Sequence, residues 1–223
     1  MNAHYPLTVE GRIDEPLSRW KWLVKWILAL PHVIVLAFLW LGVVVATLMA
    51  LVARLATGRH PRRLFDFTAG VMRWTWRVEY YAFGAIATDR YPPFTLADVP
   101  DYPARLQIDY PEGETRRGLP LIGWWLLGIP HYAVAGILAG GAGIHTFSVI
   151  GVLVLVAGIL LLVGRGYHRG IFDLVMGFNR WVLRATAYGA LLTDEYPPFR
   201  LDMGGTETAP TRPGPVPGTP LHA

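Results

Sequence analysis

The stretch TDRYPPF at residues 88–94 returns as TDEYPPF at residues 193–199, with only the middle residue changed. Other short matches surround both copies in the same order: LPH at 30–32 with IPH at 129–131, and LFDF at 64–67 with IFDL at 171–174. Matches that recur in a fixed order indicate an internal duplication. This duplication decides the organisation of the chain.

Two long apolar blocks lie between the shared motifs. Residues 26–53 and residues 118–164 contain no Asp, Glu, Lys or Arg. A helix needs about 20 apolar residues to cross a hydrocarbon core of about 30 Å, and both blocks exceed that length. With 53% hydrophobic residues, 16% charged residues and a mean hydropathy of +0.35, the composition indicates a membrane protein. The chain has no cysteine, which excludes disulfides and thiolate chemistry.

Each repeat is predicted to contain a short strand, a transmembrane helical hairpin and an amphipathic helix that ends at the YPPF phrase. The repeats span residues 5–96 and 102–201, and a Pro- and Gly-rich tail over 202–223 is predicted to be disordered. Apolar and polar residues alternate over 7–13 and 104–110, which predicts two short cytoplasmic strands that can pair with each other. The predicted fold is an all-α membrane protein of two tandem repeats with short cytoplasmic strands.

The second apolar block must turn back on itself. A single helix through residues 118–164 would be about 70 Å long at 1.5 Å per residue, and GGAGIHT at 140–146 is the expected turn. A helix over residues 26–53 would be about 42 Å long, which fits either one tilted span or a hairpin. Length alone therefore leaves the first block undecided.

Charge favours a hairpin in the first block as well. Positive residues near span ends mark the cytoplasmic side, and basic residues flank this block at both ends: Arg19, Lys21, Lys25, Arg54, Arg59, Arg62 and Arg63. We prefer a hairpin bent near Leu41 and Gly42, which gives a multi-pass protein with both termini in the cytoplasm. The competing signal is Gly42, Ala46 and Ala50, whose spacing suits one continuous packed helix.

The amphipathic helix of each repeat carries the same polar stripe. Asp, Gly, Arg and Arg recur at positions that share one helical face: Asp66, Gly70, Arg73 and Arg77, then Asp173, Gly177, Arg180 and Arg184. An arginine at mid-membrane costs about 2.5–3.5 kcal/mol, so we expect these helices to lie in the cytoplasmic interface. Trp74, Trp76 and Trp181 are suited to the membrane–water boundary.

Two interpretations of this stripe are open. The Asp and Arg side chains of the two repeats can pair across a pseudo-twofold axis and hold the halves together, because buried charges are normally paired. Alternatively, the stripe is an anion-binding site for a lipid phosphate or a small anion, because arginine offers bidentate donors to phosphate. The candidate residues of that site are Arg73, Arg77, Arg180, Arg184, Asp66 and Asp173.

His32 and His131 each follow a proline inside an apolar block. A metal site or a proton relay is one interpretation of an intramembrane histidine. We prefer a histidine that lines a kink at Pro31 or Pro130 and bonds a backbone carbonyl, because two histidines without a nearby carboxylate make a poor metal site. No metal and no cofactor are expected.

The quoted motifs, with IDYPE at 108–112 and TGRHPRRLFDF at 57–67, resemble the bacterial membrane family known as domain of unknown function 4389. The resemblance covers two copies of that domain and nearly all of the chain except the tail. It implies a protein of the bacterial plasma membrane and supplies no catalytic residues.

We expect a non-enzymatic function, because no Ser–His–Asp, H-E-x-x-H, Walker or paired-carboxylate pattern occurs. The leading hypothesis is a scaffold or accessory subunit whose cytoplasmic face binds a membrane protein partner or anionic lipid headgroups. Nucleic acid is not an expected partner, because the bilayer explains basic residues beside apolar blocks. A small transporter or channel with a pathway between the repeats, using His32 and His131, is the alternative. A lipid-modifying enzyme with Asp66 or Asp173 as base is a third hypothesis.

Overall fold

The computed structural model describes residues 5–111, 119–140 and 148–206, and for residues 119–124 it describes the backbone alone. Its elements in chain order are β1 Leu7–Gly11, α1 Trp22–Leu28, α2 Leu30–Thr57, α3 Arg62–Ala82, β2 Ala104–Ile108, α4 Leu119–Ala139, α5 Val149–Leu162 and α6 Arg169–Gly189. This confirms the predicted helical fold with short strands.

The two predicted strands pair with each other. β1 and β2 are antiparallel, and Val9 lies opposite Leu106. The first repeat opens at Tyr5 and the second at Tyr102, so Val9 and Leu106 are counterparts. An antiparallel pair that keeps counterpart side chains on the same face has its twofold axis perpendicular to the sheet. The pseudo-twofold axis of the duplication therefore passes through the sheet at this pair.

α3 is buried on two opposite faces. One face, which includes Met72 and Trp76, belongs to the core cluster beneath the sheet. The opposite face, which includes Val71, Trp74 and Val78, packs in a second cluster with α2. α3 therefore separates the sheet from α2. In the second repeat α6 lies between β1 and α4 in the same way, so the molecule has three layers: the sheet, then α3 and α6, then α2 with α4 and α5.

The strands are exchanged between the repeats. α3 of the first repeat packs against β2 of the second, and α6 of the second packs against β1 of the first. The inward-facing side chains of both strands, Leu7, Val9, Leu106 and Ile108, share one core cluster with α3 and α6. This exchange interlocks the two repeats.

The preferred hairpin in the first apolar block is wrong. α2 continues without interruption through the predicted bend. Gly42 lies close to the ring of Phe67 on α3, and Ala46 and Ala50 are buried. The small residues therefore allow close helix packing, as the competing interpretation held. Pro31 stands in the first turn of α2, where its missing N–H removes no helical hydrogen bond.

The second apolar block forms two helices, as predicted. α4 and α5 lie on either side of the expected turn, most of which (residues 141–146) lies outside the described residues. α5 has 14 residues and is about 21 Å long, which is shorter than a hydrocarbon core of about 30 Å. Within the described residues one helix, α2, is long and apolar enough to cross a membrane.

The tryptophans of α3 and α6 that were expected at the membrane–water boundary are not exposed on the surface of the protein. Trp74 and Trp76 are buried inside the protein and Trp181 is half-buried. The amphipathic periodicity of both helices is used in packing between the sheet layer and the apolar helices. Among the side chains that the structure describes, the exposed tryptophans are Trp20, Trp26 and Trp125, which lie near the starts of α2 and α4.

The beginning of the predicted tail is ordered by contacts with both repeats. Gly11 N donates to Gly205 O at 2.9 Å, and Arg180 Nη2 donates to the same oxygen at 3.1 Å. The predicted disorder is therefore wrong for residues 202–206. Residues 207–223 lie outside the described residues.

Candidate functional site

The repeated phrase begins, in both copies, just after a residue with left-handed backbone. Ile86 has a φ of 53° and Leu191 a φ of 59°, and both side chains are buried. This conformation is unusual for a branched aliphatic residue and costs on the order of 1–3 kcal/mol. Thr88 and Thr193 each accept the backbone N–H two residues further on, at 3.1 Å. Both copies therefore share one tight turn before YPPF.

A buried lysine holds the first turn. Lys25 Nζ donates to Thr88 O at 2.7 Å and lies 2.9 Å from Asp89 Oδ1, while Asp89 Oδ2 accepts Ser18 N–H at 2.8 Å. Burial lowers the pKa of Lys25, although the hydrogen bond and charge of Asp89 act against this. Burial acts to raise the pKa of Asp89, but the donors Lys25 and Ser18 outweigh it and hold that pKa below its ordinary value.

The second turn is held by a residue of the first repeat. The counterpart of Lys25 is Trp124, and Asp194 is paired instead with Arg54, whose Nη1 lies 2.7 Å from Asp194 Oδ1. The Arg54 side chain is 1% exposed and that of Asp194 is 45% exposed. Lys25 precedes α2, whereas Arg54 lies in its last turn. The two TD-x-YPPF turns therefore lie at opposite ends of α2.

The first YPPF phrase closes an aromatic box around a histidine. His32 is fully buried, its ring stacks on Phe94 with centroids 3.8 Å apart, and Tyr91 packs beside it. Trp74 Nε1–H donates to His32 Nδ1 at 3.0 Å. The predicted bond from this histidine to a backbone carbonyl is therefore wrong.

The second phrase forms a matching box. His131 is fully buried and stacks on Phe199 with centroids 4.3 Å apart, while Trp181 and Tyr196 complete the enclosure. Because the two phrases lie at opposite ends of α2, the structure places His32 and His131 in separate boxes. They do not face one shared cavity.

Two of the candidate arginines bind the exchanged strands. Arg73 Nε donates to Leu106 O at 3.3 Å, and its counterpart Arg180 donates from Nε to Val9 O at 2.9 Å. Each arginine thus reaches across the pseudo-twofold axis to the strand of the other repeat. Because β1 and β2 pair at these same two residues, the arginines fasten the centre of the sheet to α3 and α6.

The other two arginines hold the segment that follows each YPPF phrase. Arg77 Nη1 donates to Ala97 O at 3.0 Å, and its Nη2 donates to Thr95 O. Arg184 Nη2 lies 2.7 Å from Asp202 Oδ2. All four guanidinium groups therefore donate to groups of this chain, and three of the four are fully buried.

The two candidate aspartates do not join the arginines across the axis. Asp66 is exposed and pairs with Arg62 on its own helix at 3.2 Å. Asp173 is half-buried and lines a surface cleft that also contains Arg12 and Arg169. The predicted Asp–Arg pairing across the pseudo-twofold axis is therefore wrong among the described residues. Arg73 and Arg180 connect the halves through backbone carbonyls instead.

The two outer layers of the molecule differ in polarity. We call the exposed faces of α2, α4 and α5 the apolar layer; on α2 it is formed by Ile34, Phe38, Leu41, Val45, Leu48 and Val52. On the far side of the molecule, the outer face of the sheet carries only polar side chains: Thr8, Glu10, Arg105 and Gln107. The described part of the chain is thus apolar at one end of the pseudo-twofold axis and polar at the other.

Comparison with protein families agrees with the duplication. The model of the family described as Domain of unknown function (DUF4389) matches twice, at residues 19–95 and at residues 125–200. The chain belongs to the DUF4389 family. It is a tandem pair of DUF4389 domains, and both matches include an apolar helix, an amphipathic helix and a YPPF phrase. No curated protein and no solved structure matches the chain.

The exchanged strands lie outside the matched segments. β1 precedes the first DUF4389 match and β2 lies between the two matches. The strands therefore join the two DUF4389 domains of this chain, and Arg73 and Arg180 are the residues of the matched segments that hold them.

Sequence reasoning missed the roles of Lys25 and Arg54. Both border the first apolar block of the DUF4389 pair, where the flanking-charge rule gives them only the role of orienting a span. A signal was present, because a charge directly beside an apolar run must find a partner when the run is packed. The Asp of each TD phrase is that partner.

Proposed function

We propose that this DUF4389 protein is a non-enzymatic scaffold or accessory subunit of the bacterial plasma membrane. Its apolar layer contacts lipid, both termini lie in the cytoplasm, and its cytoplasmic side binds a membrane protein partner or anionic lipid headgroups. The observation that carries this proposal is the separation of an apolar layer from a polar sheet face at the two ends of the pseudo-twofold axis.

The size of the apolar layer supports a membrane location. Only 22% of the most apolar stretch of α2 is buried inside the protein, and the mean hydropathy of that stretch is 2.7. Soluble monomers rarely expose contiguous apolar patches larger than a few hundred Å², and larger patches mark membrane or protein contacts. Bilayer lipid is the covering that best suits a layer whose exposed residues on α2 include no charged side chain.

Exposed cations at both ends of α2 support contact with anionic headgroups. Lys21 lies at one end, and Arg59 and Arg63 lie at the other. A basic residue near an anionic leaflet contributes about 1 kcal/mol to binding. These side chains suit lipid contact better than Arg73 and Arg180, whose donors are engaged by the strands.

The interior supports a structural role rather than a transport pathway. Arg73, Arg77 and Arg180 donate to backbone oxygens of the chain, and Arg184 pairs with the Asp202 carboxylate. The two histidines are enclosed in separate aromatic boxes. Buried polar groups that are bonded in this way stabilise one arrangement of the halves.

The proposal is tested by extracting the tagged protein from native membranes in polymer-bounded lipid discs. We expect a stoichiometric protein partner, or anionic phospholipid enriched over the bulk membrane. The double variant Arg59→Gln and Arg63→Gln should reduce the lipid enrichment, and the charge-retaining control Arg59→Lys and Arg63→Lys should keep it. A partner-free protein that carries lipid of bulk composition would refute the proposal.

A further inference from the structure

We infer that the protein lies in a single leaflet, with its pseudo-twofold axis along the membrane normal. The apolar layer then rests among the acyl chains of the cytoplasmic leaflet, α2 lies in the plane of the membrane, and the outer face of the sheet points into the cytoplasm. This inference rests on the proposed membrane location and specifies how the chain meets the lipid.

The direction of the axis follows from the strand pairing. Because Val9 lies opposite its counterpart Leu106, the axis is perpendicular to the sheet. α3 lies between the sheet and α2, with its two buried faces on opposite sides. The axis therefore runs from the polar sheet face, through the layer of α3 and α6, to the apolar layer. Rotation about this axis keeps the direction along it, so the two repeats have the same orientation relative to the membrane normal.

The spanning alternative exposes charge to hydrocarbon. If α2 crossed the bilayer, the axis would lie in the membrane plane. The axis meets the first repeat near the middle of α2, because Arg73 reaches Leu106 while the neighbouring Thr75 bonds Trp40 on α2. The outer sheet face, with Glu10 and Arg105, would then face lipid near mid-depth. Charged side chains at that depth are strongly disfavoured.

Helix length and flanking charge agree with a single leaflet. α5 has only 14 residues, so it is too short to cross a hydrocarbon core, but it has no length requirement in the membrane plane. Basic residues flank α2 at both ends, with Lys21 at one and Arg59 at the other. When α2 lies in the plane, both ends meet the headgroups of the same leaflet, which removes the conflict between a continuous helix and two basic ends.

Aromatic side chains follow the same pattern. Trp26 and Phe94 are exposed at the start of α2, and Trp125 and Phe199 are exposed at the equivalent place in the second repeat. Tryptophan and other aromatic residues favour the boundary between headgroups and acyl chains. In the single-leaflet arrangement both groups of rings lie at that boundary, at opposite edges of the apolar layer.

Thiol accessibility tests this arrangement, because the chain has no native cysteine. Single-cysteine variants Lys21→Cys and Arg59→Cys report the two ends of α2, and Gln107→Cys reports the sheet face. We expect a membrane-impermeant maleimide to leave all three unlabelled in intact spheroplasts and to label all three in inverted vesicles. Labelling of Lys21→Cys and Arg59→Cys from opposite sides would overturn the inference.

Two further measurements keep the result decisive. Trp20→Cys and Arg63→Cys repeat the test at each end of α2 if a first variant does not accumulate. Sedimentation with the membrane fraction separates the inference from the proposed function. A chain found in the soluble fraction defeats both, whereas a membrane-bound chain labelled from opposite sides defeats only the single-leaflet arrangement.

Discussion

Replacing Lys25 with Ala is predicted to destabilise the protein more than loss of any exposed ion pair. The Lys25 side chain is 2% exposed and that of Asp89 is 17% exposed, and the ammonium also bonds Thr88 O. Removal of one partner of a buried charge pair costs about 3–5 kcal/mol. We expect the lower value, about 3 kcal/mol, because Asp89 is partly exposed and keeps the Ser18 N–H.

This change should be visible as a shift in melting temperature. For chains of about 150–250 residues, 1 kcal/mol corresponds to about 2–4 °C, so Lys25→Ala should lower the Tm by about 6–12 °C. Tryptophan fluorescence during heating in detergent micelles measures it. The matched control is Arg90→Ala, because the Arg90–Asp101 pair is 45% and 73% exposed and exposed ion pairs contribute little to stability.

The comparison can refute the reasoning directly. If Lys25→Ala melts within about 2 °C of the wild type, or together with Arg90→Ala, the buried lysine does not hold the first TD-x-YPPF turn. A shift that appears equally in Lys25→Met would assign the loss to the ammonium rather than to the packing of the stem.

Three further predictions concern single positions. Trp74→Phe removes the donor to the buried histidine of the first box and should cost about 1–3 kcal/mol; chemical unfolding that shows no loss would contradict the box. A Cβ at Gly70 would lie 2.9 Å from Leu96 Cβ, so Gly70→Ala should destabilise the protein by about 1–3 kcal/mol. A Cβ at Gly136 would meet nothing within 4 Å, so Gly136→Ala should stabilise the protein by about 1 kcal/mol. Equal melting temperatures of the two variants would reject this contrast. Burial lowers the pKa of His60, so the folded state favours the neutral imidazole. The contribution of His60 to the free energy of unfolding should be fully present above a pH of about 6.5 and should be lost as the pH drops below it. In thermal scans between pH 7.5 and 5.5, His60→Gln should reduce this dependence of the melting temperature on pH.

Parts of this architecture follow from local pattern alone. The duplicated TD-x-YPPF phrase predicts two copies, and alternation over 7–13 and 104–110 predicts strands that the structure pairs. Both signals are short-range, because a strand shows its inward face every second residue. The two helices of the second apolar block are likewise set by length, since one straight helix would be too long.

Other parts depend on contacts between distant residues. The preferred bend in α2 relied on a charge rule for spans, and that rule does not distinguish a hairpin from one helix lying in the membrane plane. The partners of Arg73 and Arg180 are backbone carbonyls of the other repeat, and carbonyls leave no mark in a sequence. Asp89 and Asp194 are equivalent residues of the two repeats, but their partners Lys25 and Arg54 do not occupy equivalent positions. Comparison of the repeats therefore could not identify these two ion pairs.

The depth of α2 in the bilayer tests the single-leaflet arrangement most directly. Nitroxide labels at Leu30→Cys, Leu41→Cys and Val52→Cys sample exposed positions along the whole helix, and collision with oxygen and with a water-soluble nickel complex reports the depth of each. We predict the same shallow depth at all three positions. A label at position 41 that lies about 15 Å deep, at the bilayer centre, with shallow labels on either side of it, would contradict the account.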